Sequence, residues 1–462
     1  MNESIPEKRE NPLESGAIGK LIAKFAIPAI IGGLISAAYN IVDQIFIGQS
    51  VGLLGNAATN VAFPLVTLSN SLALLFGVGS ASNFSLELGN KQKDRAVQFY
   101  GNGISFLLAS GVLIFAVVLM FLKPLLIFFG ATEEVLPYAL TYTGITAFGL
   151  PFSMISIGGG HLIRADGSPT YAMLSTSSGA ILNCFLDPLF IFGFDMGIAG
   201  AAYATITGQI ISALIVLYYF RKKFKTAKLE RRHFRPSVYG VKTIASLGAA
   251  SCFNQLAMSL VQITLNNTLR SYGAASVYGS DIPLACVGVI SKVNVLFMAF
   301  VLGIAQGCQP IFGFNYGAKN YSRVRETYKK AATAVTVICV ISFLCFQLFP
   351  RQIVSIFGTG SELYFEFAEK YFRIYLLFTF INGIQPLTSN FFTSIGKAKL
   401  GIAMSLTRQI IFLLPLILIL PVFWGIDGVM YAGPIADAAA VVLAAYFAWR
   451  EMKKMRIAET KC

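Results

Sequence analysis

GIAGAAYA, from Gly197 to Ala204, recurs 228 positions later as GIDGVMYA, from Gly425 to Ala432. The same offset aligns four more residues of the first half with identical residues of the second: Gly79, Gly89, Lys91 and Arg95 match Gly307, Gly317, Lys319 and Arg323. Self-similarity at a fixed spacing is typical of a fold built from repeated units. A repeat about half as long as the chain predicts two related halves.

The composition around this repeat is that of a membrane protein. Of the 462 residues, 55% are hydrophobic and only 13% are charged, and the mean hydropathy is +0.67. Soluble domains carry roughly a quarter charged residues. The chain therefore has too few charges to cover a water-soluble protein of its length, and we expect an integral membrane protein embedded in a lipid bilayer.

A helix needs about 20 apolar residues to cross the hydrocarbon core. Twelve runs reach this length, near 20–47, 57–87, 97–122, 134–160, 168–192, 197–220, 243–269, 283–313, 328–349, 364–394, 400–420 and 428–449. An open sheet cannot satisfy its backbone in lipid. The prediction is an all-α integral membrane protein with twelve transmembrane helices in two pseudo-symmetric six-helix bundles. Six spans per half make the repeats parallel, a plan typical of transporters.

The distribution of positive charge predicts the orientation and the division of the chain. With both termini in the cytoplasm, only Lys123, Arg270 and Arg351 fall in outer loops, as the positive-inside rule requires. This placement explains the net charge of +14 without a nucleic-acid partner. We expect a multi-pass protein of the cell membrane with a cytoplasmic N-terminal tail, a first lobe, a basic linker, a second lobe and a cytoplasmic C-terminal tail: 1–19, 20–220, 221–242, 243–449 and 450–462.

Two carboxylates inside the first lobe are the main candidates for function. Asp43 lies in the first span and Asp187 in the fifth, and ionisable groups within spans are costly and usually functional. At 1.5 Å per helical residue, both lie in the outer half of the bilayer, at the depth of Tyr142, Asn183 and Thr205. These five residues form the predicted ion-coupling site. No Lys or Arg of the first-lobe spans is placed to neutralise the aspartates, so we expect protonation near physiological pH.

Helical spacing extends this cluster towards a cavity. Asn40 with Asp43, Asn183 with Asp187, and Thr205 with Gln209 lie three or four residues apart, so each pair shares a helix face. We predict that Asn40 and Gln209 line a substrate cavity beside the acids. For the uncharged members of the cluster, hydrogen bonding between helices is the alternative explanation.

The second half offers one acid and several bases. Asp437 in the twelfth span lies at the depth of Lys292, and Arg408 is in the eleventh span. Asp437 is expected either to form an ion pair with Lys292 or Arg408 or, together with Lys292, to contact substrate in the cavity. In the first span, Pro28 with Gly32 and Gly33 is the best candidate for a hinge, since such residues permit helix bends in lipid.

Enzyme chemistry has little support in the sequence. The seven cysteines form no CxxC pair, and His161 and His233 are predicted in cytoplasmic loops, far in depth from the aspartates. Without a Ser/His/Asp grouping, a phosphate loop or a metal-ligand spacing, the chain is not expected to be an enzyme or to hold a cofactor. No resident metal is predicted, although Na⁺ at Asp43 and Asp187 stays possible.

Four segments carry a resemblance to a known family: YNIVDQIFIG at Tyr39–Gly48, NCFLDPLFIF at Asn183–Phe192, GIAGAAYATITGQ at Gly197–Gln209 and FGFNYGAKN at Phe312–Asn320. With the twelve spans and the repeat, the chain resembles the multidrug and toxic compound extrusion (MATE) transporters, in the bacterial branch of MepA-like and DNA-damage-inducible members. The resemblance implies two six-helix bundles around a central cleft that opens to one side at a time. It also implies export of amphipathic, often cationic compounds, driven by inward movement of H⁺ or Na⁺.

The resemblance also suggests roles for particular residues. The family's first-lobe coupling site, an aspartate on the first helix and Asn-x-x-x-Asp on the fifth, matches Asp43, Asn183 and Asp187, with Tyr142 and Thr205 as companions. Some members bind Na⁺ through second-lobe acids on the seventh and tenth helices. This chain has amides in those regions, which argues for coupling through the first lobe: Asn254, Gln255, Asn382 and Gln385.

The expected function is therefore a monomeric multidrug antiporter that exchanges small cationic amphiphiles for H⁺, less readily for Na⁺. A lipid-linked oligosaccharide flippase of the same superfamily is the nearest alternative, because Lys292, Lys370, Arg373 and Arg408 supply cations for a pyrophosphate. A membrane-embedded enzyme is the alternative from another class.

Overall fold

The computed structural model describes residues 12–357 and 361–460. The first eleven residues of the predicted N-terminal tail, residues 358–360 of the predicted second lobe, and the last two residues of the predicted C-terminal tail lie outside this range. Nearly all of the described chain is helical. Within it, eleven helical segments are long and apolar enough to cross a membrane by length and composition.

The first half contains six spans. Two of them are composite, because a 3₁₀ turn at Ala147–Gly149 joins α6 to α7 and a π-helical turn at Leu189–Gly193 extends α8. The helices are α1 (Pro12–Ser15), α2 (Ile18–Val51), α3 (Leu53–Gly89), α4 (Lys93–Met120), α5 (Leu122–Phe128), α6 (Leu136–Thr146), α7 (Leu150–Ala165), α8 (Pro169–Pro188) and α9 (Gly197–Lys222).

The second half repeats this plan, with its tenth span interrupted. The predicted run 364–394 forms three short helices, and a π-helical segment at Thr407–Leu413 joins α17 to α18. The helices are α10 (Val238–Ala274), α11 (Asp281–Gly317), α12 (Tyr321–Leu348), α13 (Pro350–Ser355), α14 (Glu362–Tyr375), α15 (Thr379–Asn382), α16 (Ile384–Ser394), α17 (Ala398–Leu406), α18 (Leu414–Trp424) and α19 (Ile426–Glu459). Counting the interrupted segment, the chain is a twelve-span, two-bundle helical membrane protein.

Several helices extend beyond their predicted apolar cores. The helix α10 begins inside the predicted linker, where the Ser237 side chain accepts a hydrogen bond from the Gly240 N–H at 2.9 Å and caps the helix. At the other end of the chain, α19 continues through most of the predicted C-terminal tail. Because successive spans reverse direction, the start of α2 and the end of α19 lie on the same side. We call this the terminal side and the opposite one the distal side.

Glycines join the two bundles on the terminal side. A Cβ placed on Gly89 of α3 would lie 2.0 Å from the carbonyl oxygen of Phe314, and one on Gly317 of α11 would lie 2.1 Å from that of Leu86. At the repeat offset of 228, Leu86 and Gly89 correspond to Phe314 and Gly317. The two contacts are therefore equivalent, and α3 and α11 cross about a pseudo-twofold axis. Only a residue without a Cβ permits this backbone approach, as at small-residue interfaces between membrane helices. The two lobes therefore meet backbone to backbone on the terminal side, and we call this contact the glycine seam.

We predict that Gly317→Ala destabilises the protein by about 1–3 kcal/mol, the usual cost of overpacking, because the new methyl group would meet backbone. Gly288→Ala is the matched control, since it lies on the same helix and its added Cβ meets nothing within 4 Å. Thermal unfolding of the purified protein measures both variants. Equal unfolding temperatures for the two would contradict the close crossing.

The polar linker between the halves is fixed to the first lobe by Asp166, which follows α7. Its carboxylate accepts hydrogen bonds from the Tyr219 hydroxyl at 2.7 Å, the Lys225 backbone N–H at 2.8 Å and the Thr226 hydroxyl at 2.6 Å. Burial raises the pKa of the Asp166 carboxyl above its ordinary value, and these hydrogen bonds oppose the rise. The basic linker is thus held in place at its first turn.

Asp166→Ala should release this part of the linker. Each lost hydrogen bond is worth about 1 kcal/mol, so the Lys225 and Thr226 amides should exchange with solvent at least about tenfold faster. Hydrogen–deuterium exchange measures the change. Glu134→Ala, at an exposed carboxylate in the connection between α5 and α6, is the control and should leave those amides unaffected. Unchanged exchange in Asp166→Ala would show that other contacts hold the linker.

Candidate functional site

The centre of the candidate site is a pair of carboxyl groups on two helices. Asp43 lies on the distal half of α2, and Asp187 lies at the end of α8, just before the π-helical turn. They are 6% and 0% exposed, and their carboxyl groups are close enough to interact directly with each other. Two carboxyl groups share a hydrogen bond only when one carries a proton, since an ionised carboxylate is an acceptor only. A proton bound at this site would therefore be shared between the two groups.

Asn183 and Thr205 complete the polar surroundings of Asp187. Oriented so that both of its ends are satisfied, the Asn183 amide donates to Asp187 Oδ2 at 2.6 Å and accepts from the Thr205 backbone N–H at 3.0 Å. Both residues are buried. Asn183 lies one turn before Asp187 on α8, and Thr205 faces it from α9. Asn183 thus connects the carboxyl pair to α9.

Two tyrosines face the pair, and the sequence analysis identified only one of them. Tyr142 of α6 and Tyr39 of α2 both interact electrostatically with Asp43 and Asp187 and reach the Thr205 side chain. Tyr39 precedes Asp43 by four residues, so the spacing that predicted the other pairs also applies to it. The five predicted ion-coupling residues are brought together, and Tyr39 joins them.

Apolar side chains bound the pair on its distal side, and no counter-ion is present among the described residues. Among residues 12–357 and 361–460, neither carboxyl group forms an ion pair. One turn further towards the distal side, Ile47, Ile191 and Ala201 form a small buried cluster, with Tyr142 packed against it. This cluster separates the carboxyl groups from the distal ends of their helices. Within the described residues, no group of three or more His, Cys, Asp or Glu side chains could hold a metal ion.

Asn40 and Gln209, the predicted cavity residues of the first lobe, lie apart from the polar site around Asp43 and Asp187 or at its margin. Asn40 is exposed and donates to the carbonyl of Ser36 on its own helix at 2.7 Å. Gln209 is half-buried, and its Oε1 packs against Gly149 without a hydrogen-bond partner among the described residues. A role in binding substrate stays a prediction for both residues.

In the second lobe Asp437 pairs with Arg408. The Arg408 Nε donates to Asp437 Oδ1 at 2.5 Å, and the carboxylate is buried. Lys292 is exposed and forms no ion pair with the part of the chain that the structure describes. Of the alternatives for Asp437, the ion pair is present and its partner is Arg408. Asp437 also lines a cavity, whereas Lys292 does not.

The predicted hinge lies in an unbroken helix. The helix α2 runs through Pro28 without interruption, and a Cβ on Gly32 or Gly33 would reach Thr176 of α8 at 3.5 Å or Ala299 of α11 at 3.4 Å. These distances are ordinary contacts, so α2 lies against one helix of each lobe here and an alanine would fit at either position. Bending at this point stays a prediction.

One histidine lies elsewhere than the sequence suggested. His161, predicted in a cytoplasmic loop, is inside α7 and buried, in contact with Gln309 of α11. The prediction was wrong because the apolar run was ended five residues before the helix ends at Ala165. His233 does lie in a connection, where its Nδ1 accepts from the Glu230 backbone N–H at 3.0 Å.

The fold and the buried carboxyl pair define a class: polytopic helical membrane proteins of two six-helix bundles with an uncompensated acid site in the first lobe. The MatE family model matches residues 28–189 and 250–419, one segment in each half. These segments cover more than half of the chain, so it belongs to the MatE family of multidrug and toxic compound extrusion proteins.

Known relatives match the chain along most of its length. It is 24% identical to "Multidrug export protein MepA" of Staphylococcus aureus (strain MSSA476), over 93% of each chain. It is 23% identical to the protein of that name from Staphylococcus haemolyticus (strain JCSC1435), over 96% of each. Among solved structures, one titled "Outward-facing conformation of a multidrug resistance MATE family transporter of the MOP superfamily" is similar with a TM-score of 0.89 and 24% identity. That match covers 96% of this chain and 98% of the other.

Proposed function

We propose that the protein is a multidrug efflux antiporter that exports amphipathic, cationic small molecules in exchange for protons by alternating access. The observation that carries the proposal is the Asp43–Asp187 pair, buried without a neutralising cation among the residues that the structure describes. A buried charge normally requires a partner. For this pair the partner is either a proton or a cationic ligand, and a site that accepts one or the other couples them.

The exchange follows from competition at the pair. When both carboxyl groups are ionised, their uncompensated negative charge attracts a cationic amphiphile. Protonation removes that charge, and one carboxyl group can then donate a hydrogen bond to the other. Proton and drug binding are thus negatively coupled, and by linkage each lowers the affinity for the other to the same degree. A coupling of about 1–3 kcal/mol, typical of such linkages, suffices for each ligand to displace the other.

Conformational change must accompany this exchange. Protonation favours a bent first helix with Pro28, Gly32 and Gly33 as the hinge, which collapses the cavity and expels the drug. With both termini in the cytoplasm, as the Lys and Arg distribution indicates, the glycine seam closes the cytoplasmic side. Each proton entering a cell gains about 2.3 kcal/mol per 100 mV of membrane potential. We further propose that the protein works as a monomer in the cell membrane, without a cofactor or enzymatic activity.

The experiment that tests this function is dye efflux from proteoliposomes, with a pH gradient and a Na⁺ gradient imposed separately. We expect a lipophilic cationic dye to be exported when the pH gradient is imposed and only weakly when the Na⁺ gradient is imposed. Export under the Na⁺ gradient alone would place Na⁺ at Asp43 and Asp187. A labelled lipid-linked oligosaccharide precursor tests the flippase alternative, and movement of that precursor without dye export would overturn the proposal.

A further inference from the structure

A second polar cavity lies inside the other lobe, away from the acid pair. It has a volume of about 140 Å³ and is lined by residues of α10, α11, α14, α15, α19 and the π-helical segment Thr407–Leu413. One buried water occupies about 30 Å³ of liquid volume, so the cavity has room for a small ligand group. Its polar lining includes Asn294, Tyr371, Asn382, Arg408, Gln409 and Asp437.

Most of these groups are hydrogen-bond donors that have no acceptor. Arg408 uses Nε for Asp437, and neither of its terminal nitrogens has a hydrogen-bond acceptor among the described residues. Tyr371 has no exposed surface, yet its hydroxyl has no partner in the described chain. Asn382 and Gln409 are buried residues whose amides form no hydrogen bond within residues 12–357 and 361–460, although the amide atoms keep some accessible surface in the cavity. The Tyr371 hydroxyl is a buried donor without an acceptor, which is unfavourable, and the other donors beside it suit a group that accepts several hydrogen bonds.

The chemistry of these donors identifies that group. The two terminal nitrogens of a guanidinium lie in one plane and match the two oxygens of a carboxylate. Because Asp437 accepts its hydrogen bond from Nε of Arg408, the edge that carries the two terminal nitrogens is available to a ligand. A phenol and two amides complete a set of donors suited to an anion. With Arg408 already positioned by Asp437, little side-chain freedom is lost on binding.

We propose that this cavity binds the carboxylate of an amphiphilic compound, held by the terminal nitrogens of Arg408 and the hydroxyl of Tyr371. The cavity accepts the anionic end, and the rest of a larger molecule extends beyond it. The assignment of that molecule as an exported substrate rests on the proposed function, whereas carboxylate binding itself does not. The second lobe then recognises a charge of the opposite sign from the first.

The test is ¹⁹F NMR of 4-fluorobenzoate with the purified full-length protein, beside the neutral 4-fluorobenzamide. We expect the protein to broaden the fluorobenzoate line, acetate to reverse the broadening, and fluorobenzamide to stay sharp. Tyr371→Phe should weaken binding about fivefold, as expected for one lost hydrogen bond. The double variant Arg408→Gln/Asp437→Asn removes both charges together, so no unpaired charge stays buried, and it should abolish binding.

Arg351→Gln is the matched control, since Arg351 is half-exposed outside the cavity, and it should bind fluorobenzoate as the unmodified protein does. Equal broadening of both probes, or unchanged binding in Tyr371→Phe and in the double variant, would overturn the site and leave a cavity filled by water. If the double variant does not fold, Tyr371→Phe decides alone. Failure of dye export with fluorobenzoate binding intact would reject the proposed function and not this site.

Discussion

Asp43→Asn is expected to reduce export of a cationic dye driven by a pH gradient to the level of liposomes without protein. Asparagine keeps the size of the side chain and removes the group that exchanges a proton for a cation. Asp187→Asn should have the same effect, because the two buried carboxyl groups interact directly with each other and are expected to act as a unit. The initial rate of dye efflux from proteoliposomes measures both variants.

Asp94→Asn is the matched control, since it makes the same chemical change at an exposed carboxylate, and its export should be unchanged. Thermal unfolding separates loss of coupling from loss of the fold. We expect both site variants to unfold no earlier than the unmodified protein, because replacing an acid that lacks a counter-charge with an amide relieves a burial cost. Normal export by both site variants would refute the assigned role of the pair.

The largest loss of stability is expected from Arg408→Gln. The substitution leaves Asp437, buried in the second lobe, without its partner, and breaking a buried ion pair on one side costs about 3–5 kcal/mol. The double variant Arg408→Gln/Asp437→Asn should recover much of that loss, since replacing a whole buried pair is far less costly than breaking it. Thermal unfolding of the purified protein, completed as a double-mutant cycle, measures the coupling.

The control for this cycle is Arg351→Gln. Arg351 pairs with Glu362 through two hydrogen bonds, of 2.9 and 2.7 Å, but both side chains are exposed. Solvent screens such surface pairs, so its loss should change the unfolding temperature far less. A single Arg408→Gln variant as stable as the control would show that Asp437 does not depend on Arg408.

Depth along the spans was enough to predict which residues of the first lobe meet. Counting from the helix ends put Asp43, Asp187, Asn183, Tyr142 and Thr205 at one level, and the structure brings the five together. The depth of a residue does not show which way its side chain points, because that depends on its angular position around the helix axis. At 3.6 residues per turn, Tyr39 lies about 40° to one side of Asp43 and Asn40 about 60° to the other. The packing of α2 buries the side that carries Tyr39 and exposes Asn40.

Other features depend on packing that a single sequence does not reveal. Lys292 and Arg408 lie at similar depth, and the rotation of their helices pairs Asp437 with Arg408. The interruption of the tenth span falls around Leu376–Phe378, which is as apolar as its flanks, so hydropathy did not predict it. From the sequence, Gly89 and Gly317 could be recognised only as matching positions of the repeat. A sequence does not show which backbone carbonyl each glycine contacts.

Proton release on substrate binding distinguishes proton-coupled exchange from simple binding of a cation. Tetraphenylphosphonium is added to the purified protein in weakly buffered detergent solution, and the pH change is recorded beside the binding isotherm. We expect the unmodified protein to release protons as the cation binds, whereas the double variant Asp43→Asn/Asp187→Asn should release none. Saturable binding of the cation to the unmodified protein without any proton release would contradict proton-coupled exchange.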